Sequence, residues 1–318
     1  MKRHLRAASL LFNQPLLTTP DMLDLAVRWA NQTMHLNIIN LSVGQITEPR
    51  MLDDADYPDP QAIREEQRRR TIADTGVEVI PVHGVLVSRG AHLNPCETMT
   101  SYEGLRSQIN RAVADPMVER IVLDIDSPGG SAVGAFELAA DIRAATASKP
   151  ITGLVNYMAY SGGYLIASAC SDIIVSQTSG VGSIGVIASH LDRSKLEEGM
   201  GVKITTVYRG AHKNDLTPHA PLSEQSLNVL EEIVEESYQM FVSAVADYRN
   251  LSTASVMATE AGLYRGKTAI SAGLADRLES PQAAVDNIAR AIATSRTERQ
   301  QARRIGIRAR ALAVQARL

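Results

Sequence analysis

The chain has 318 residues, 45% of them hydrophobic, enough for one large core with segments left over. A formal net charge of −3 gives no global electrostatic case for nucleic acid binding, and no run of about 20 apolar residues is present to form a membrane span. Cys96 and Cys170 are too few for a disulfide framework and no His, Cys and Asp residues stand at ligand spacing. The reading therefore includes no metal and no cofactor, and it fits a reducing, cytoplasmic setting.

At the amino end, Lys2, Arg3 and Arg6 precede a short apolar run that Asn13, Gln14 and Pro15 interrupt, so a signal peptide is not expected. Residues 1–47 read as an N-terminal extension, with Met22, Leu25, Ala26 and Trp29 suggesting an amphipathic helix over 21–31. Composition then shifts to Pro, Asp and Arg, and residues 48–76 read as a linker. The main domain, 77–280, begins with two short strands about a turn at Gly84, followed by a helix over 102–114 that Asp115-Pro116 ends.

Strand 121–125, helix 132–145, strand 151–155 and helix 161–170 form consecutive strand–turn–helix units, the pattern of an α/β fold with a parallel sheet. Strand 172–175 leads into the glycine-rich stretch 179–185, and an apolar strand at 202–208 precedes a polar loop. The longest helix is expected at 222–249, where Leu227, Leu230, Val234, Tyr238, Phe241 and Val245 make an apolar stripe. Residues 281–318 form an alanine-spaced, arginine-rich helical tail, either a solvated helix or a docking element for an acidic partner.

Three local features carry chemistry. Ser161 begins Ser-Gly-Gly where an apolar strand gives way to a helix; there it serves either as an N-cap or as a nucleophile whose developing charge the helix start favours. Gly129 and Gly130, in Ser-Pro-Gly-Gly, are either an ordinary strand-to-helix turn or bare backbone whose N–H groups donate to an oxyanion. Lys213 lies in Gly-Ala-His-Lys of the polar loop. It is either a solvated loop lysine or a base, and a base must be neutral, its pKa brought down by burial from about 10.4.

The motifs Asp124-Ile-Asp-Ser-Pro-Gly-Gly130, Tyr160-Ser-Gly-Gly163, Thr178-Ser-Gly-Val-Gly-Ser-Ile-Gly-Val186 and Gly210-Ala-His-Lys213, in that order over 77–278, resemble the S49 serine peptidases. That family includes the signal peptide peptidase A group and phage head-maturation proteases of the lambda type. The resemblance implies a crotonase/Clp protease-like fold of repeated ββα units, flanked here by the N-terminal extension and the helical tail. It also implies a Ser–Lys dyad of Ser161 and Lys213, with the Gly130 and Gly162 amides as oxyanion donors. In the family the glycine-rich segment lies near the substrate cleft, so Ser183 either helps to hold the lysine or substrate or is a plain turn serine. A rival pairing is Ser161 with His190.

The function expected from the resemblance is a serine endopeptidase of phage capsid maturation. It would cleave itself and scaffold or portal proteins in the host cytoplasm or prohead, assemble as a homo-oligomer, and need no nucleic acid. The alternatives are a signal-peptide-peptidase-like enzyme of the host and an inactive minor capsid protein on the same fold.

Overall fold

A computed structural model describes residues 15–19, 60–90 and 99–315 of the chain. The elements are β1 (Leu16–Thr18), α1 (Pro60–Thr75), β2 (Val77–Val87), β3 (Met99–Ser101), α2 (Tyr102–Ala114), β4 (Arg120–Ser131), α3 (Ala135–Ala145), β5 (Ile151–Tyr160) and α4 (Gly162–Ser168). They continue as β6 (Asp172–Val175), β7 (Gly180–Gly182), α5 (Ser194–Gly199), α6 (Glu224–Arg249), α7 (Thr253–Met257), β8 (Leu263–Arg265), α8 (Gly266–Ser271), β9 (Arg277–Leu278) and α9 (Pro281–Gln315).

The central sheet runs β3-β2-β4-β5-β6-β9, and every pair along that path is parallel. This is the α/β class expected from the alternating strand and helix patterns. Its strands are buried on both faces, which explains their nearly unbroken runs of Val, Ile and Leu. On one face Leu123 and Ile125 of β4 pack with Tyr102, Leu105 and Ile109 of α2, Leu138 and Ile142 of α3, and Phe241 and Val245 of α6. On the other, Val77, Val122, Leu154 and Ile174 are covered by Ala284 and Ile288 of α9.

The first turns of the arginine-rich tail are therefore part of the core. Arg296 and Arg299 also tie the tail to the residue preceding β4. Arg296 reaches Glu119 at 2.5 Å and Arg299 bonds the same carboxylate. Burial opposes ionisation of Glu119, but the two guanidinium groups outweigh it and hold the carboxyl below its ordinary range.

Several expectations need correction. The two strands about Gly84 are one, β2, with a register shift against β4 between His83 and Val85; the irregularity bends the strand without ending it. The stretch read as a linker contains α1, whose Ile72 is buried against the main core. Residues 202–208 form no strand: the backbone there is irregular and Val202, Ile204, Val207 and Tyr208 are exposed. The amphipathic pattern at 21–31 lies outside the described residues, as does Cys96.

Sheet topology positions the site. β5 pairs with β4 as far as Ser127–Ala159, and its last residues pair with β7, Tyr160 opposite Gly182. The edge of β4 beyond Ser127 is thus left open to another strand. β1 fills it antiparallel, Leu16 opposite Ser131, Leu17 opposite Gly130 and Thr18 opposite Gly129. Leu16 and Leu17 are buried, and each such burial contributes roughly 1.5–3 kcal/mol to holding β1 in place.

Candidate active site

Ser161 occupies the hinge between β5 and α4, fully buried, with φ 53° and ψ −118°. A serine in this left-handed region is strained, and the strain is held by bonds on both sides. Its N–H donates to the Gly182 carbonyl at 2.9 Å, and its carbonyl accepts from the Leu165 N–H at 3.0 Å. Its side chain does not cap α4; the hydroxyl lies 3.5 Å from the Gly185 carbonyl, a long and weak contact. Ser161 thus holds the N-cap position of α4 without a side-chain capping bond, so capping alone does not account for the serine.

Gly129 and Gly162 face the same point in space. A Cβ on Gly129, whose φ is +100°, would overlap the Leu17 carbonyl oxygen and lie 2.8 Å from the Gly162 nitrogen. A Cβ on Gly162 would lie 3.5 Å from the Gly130 nitrogen. Two backbone nitrogens, those of Gly130 and Gly162, thus border one small space at the start of α4, where the helix dipole adds positive potential. Beneath it Ser127 braces the turn, its hydroxyl donating to the Gly84 carbonyl at 2.7 Å and accepting from the Gly129 N–H at 3.1 Å. Tyr102, on α2, fixes the end of β4 by donating to the Ser131 carbonyl at 2.6 Å; burial pushes its phenol well above the usual range, so it stays a donor.

Ser183 is buried in the turn that supports Ser161, with φ 55°, its N–H bonded to the Gly262 carbonyl at 2.9 Å and its carbonyl to the Gly185 N–H at 2.9 Å. It shapes the loop that carries the Gly185 carbonyl. Lys213 is not brought to this group. It is exposed on a turn over 211–216, its N–H bonded to the Gly210 carbonyl at 3.2 Å, and its ammonium makes no hydrogen bond or ion pair among the described residues. Five of the six residues expected at the site, Ser161, Gly129, Gly130, Gly162 and Ser183, therefore gather around one groove, and the sixth stands apart.

The sequence reading missed two contributors. Ile187 exchanges both backbone bonds with Leu16, at 2.9 and 3.1 Å, forming the wall of the groove opposite β4. Leu16 and Leu17 fill the groove between them. The available signal was small, a pair of leucines between Pro15 and Pro20 with no periodicity to mark a strand.

A strained serine at a strand-to-helix hinge, beside two converging backbone N–H groups and a groove that holds an extended chain, is the type of site that acyl-transfer hydrolases use. Comparison with known proteins is specific about the class. The family model described as Peptidase family S49 matches residues 143–294, so that stretch of the chain carries a Peptidase family S49 domain. The chain is 43% identical over 203 residues to the capsid assembly protease C of Escherichia phage lambda, covering 64% of this chain and 46% of that protein. It is 36% identical over 293 residues to the head-tail preconnector protein GP5 of Enterobacteria phage P21, covering 91% of this chain and 57% of that one. The chain thus spans about half the length of these curated relatives. Among solved structures, a ClpP1 mutant from Listeria monocytogenes aligns with 10% identity and a TM-score of 0.40, over 67% of this chain and 95% of that one.

Among the described residues no helix is long and apolar enough to cross a membrane.

Proposed function

We propose that the chain is a serine endopeptidase of phage head assembly, with Ser161 as nucleophile and Lys213 as its general base. The observation that carries the reading is the strained, buried Ser161 at the start of α4, where the Gly130 and Gly162 nitrogens converge. Ser161 attacks the scissile carbonyl, the two amides hold the oxyanion, and the base takes the serine proton and passes it to the leaving amine. Water then hydrolyses the acyl-enzyme. Gly129 lets the substrate carbonyl approach, and Ser183 shapes the loop beneath the nucleophile.

Lys213 acts only when its segment docks onto a Ser161 groove, either of its own chain or of a second copy; docking buries the amine, which a neutral base requires. The exposed apolar side chains of Val202, Ile204, Val207 and Tyr208, just before Lys213, support such docking and an oligomer. The capsid and head-tail names of the relatives support scaffold, portal and capsid proteins, and the chain itself, as substrates, in the host cytoplasm or prohead. The sequence divisions at 47, 76 and 280 stand as the proposed organisation with two changes: α1 of the 48–76 stretch and the start of α9 both pack on the catalytic unit.

The test is intact-mass analysis of wild type, Ser161→Ala and Lys213→Ala, each co-expressed with portal and scaffold proteins. Products confined to the wild type support the dyad. Identical products from all three would make the fold a structural component with no peptidase role.

A further inference from the structure

The groove beside Ser161 already holds a strand of this chain. Pro15 to Thr18 lies antiparallel to the end of β4, with the Ala132 N–H donating to the Pro15 carbonyl at 3.3 Å. Its other edge bonds Ile187 through both backbone groups of Leu16. In an antiparallel ladder the bonding partner alternates from residue to residue, so Leu16 turns its N–H and C=O to Ile187, while Leu17 turns its N–H and C=O, and Pro15 its C=O, to β4. An extended peptide added between two strand edges is how groove-binding proteins hold substrates and ligands.

The register selects one peptide bond. Of the two carbonyls facing β4, that of Leu17 is the one opposite Gly130, and its oxygen lies against Gly129 and 3.3 Å from the point a Gly162 Cβ would occupy. The Leu17 carbonyl thus lies where the oxyanion donors converge, and the bond that follows it is Leu17–Thr18.

We propose that Pro15–Thr18 is a built-in substrate: it fills the groove of the uncut chain, and Ser161 cleaves the Leu17–Thr18 bond. The proposal rests on the peptidase reading above and adds its first substrate. A bond forms between Ser161 Oγ and the Leu17 carbonyl carbon, and the Leu17–Thr18 bond breaks. The serine proton goes through the base to the Thr18 amine. Water then hydrolyses the ester, leaving a Leu17 carboxylate and restoring the hydroxyl. The products are residues 1–17 and 18–318. Until the cut, the strand excludes other peptides; afterwards it can leave. Because Leu16 and Leu17 are both buried in the groove, the site accepts apolar side chains at the two positions before the cut.

The experiment is N-terminal sequencing of the full chain as wild type, Ser161→Ala and Thr18→Pro, with digestion of denatured casein measured in parallel. Proline at 18 removes an ordinary amide from the bond to be cut and changes no buried leucine. The expected result is a fragment beginning at Thr18 from the wild type only, with Thr18→Pro digesting casein several-fold more slowly because its groove stays filled. A wild type that digests casein but keeps Leu17–Thr18 intact overturns the built-in substrate and leaves the peptidase reading standing. A Thr18 fragment from Ser161→Ala also overturns it. A wild type that cuts neither overturns both readings together.

Discussion

Replacing Gly129 with alanine separates the geometry of the groove from general stability. The residue sits at φ +100°, where a side chain adds about 1–2 kcal/mol of backbone strain. Its new Cβ would also overlap the Leu17 carbonyl oxygen and press to 2.8 Å from the Gly162 nitrogen. Anything bound with its carbonyl at that point must move, and the Gly162 N–H with it. Loss of one oxyanion donor costs roughly a hundred- to a thousandfold in kcat.

Gly134 supplies the control. It has a similar φ of +89°, and a Cβ there would meet the Tyr102 ring edge at 3.2 Å and Ser88 Cβ at 4.0 Å, with no backbone overlap. Gly134→Ala should lose about 1–2 kcal/mol of stability, a few degrees in Tm, and Gly129→Ala more, because its Cβ also displaces the Leu17 carbonyl. Only Gly129→Ala should lose kcat on a peptide substrate, by two to three orders of magnitude. A Gly129→Ala enzyme whose kcat matches that of Gly134→Ala would refute the placement of the oxyanion beside Gly129.

Three further outcomes follow from the same structure. Arg249, its side chain almost wholly buried at the end of α6, bonds Asp276 at 2.7 and 2.9 Å and the Gly273 carbonyl at 3.2 Å, so Arg249→Ala should lower stability by about 2–3 kcal/mol in denaturant unfolding. Burial disfavours the Asp276 anion, but Arg249 and the Ile173 N–H outweigh it and hold the carboxyl below its ordinary 3.8; the folded value is depressed, so the contribution is full above 3.8 and is lost as pH falls through the lower folded value. The Tm difference between wild type and Asp276→Asn should therefore be flat near neutrality and shrink only below pH 3.8. Of the two rival bases, Lys213→Ala should abolish casein digestion while His190→Ala retains it; the reverse pattern would transfer the role to His190.

The sheet was legible because each βα unit carries its own punctuation. Asp115-Pro116 stops α2 and Ser161 opens α4, both read from residues adjacent in sequence, whereas Pro128-Gly129-Gly130, read as a turn, lies inside β4 because β1 and β2 pair with it on both sides. What escaped depended on partners distant in the chain. Residues 202–208 have the alternating apolar pattern of a strand, yet no sheet edge meets them and their side chains are exposed. β1 has only three residues and is a strand solely because the end of β4 and Ile187 leave a gap of one strand's width. Gly84 reads as a turn by composition, but the bonds on both sides of it carry β2 through. At the site, Ser161 and the three glycines were legible from motif alone, while the position of Lys213 depends on a loop whose contacts the sequence does not state.

The central claim is that Ser161 forms the acyl-enzyme. The most direct measurement is to incubate the protein with a peptidyl phosphonate carrying leucine next to phosphorus and to locate the adduct by tandem mass spectrometry. The account predicts one adduct, on Ser161, formed in step with loss of casein digestion and absent from Ser161→Ala. An adduct on another residue that tracks the loss of activity, or full digestion by Ser161→Ala, would contradict it.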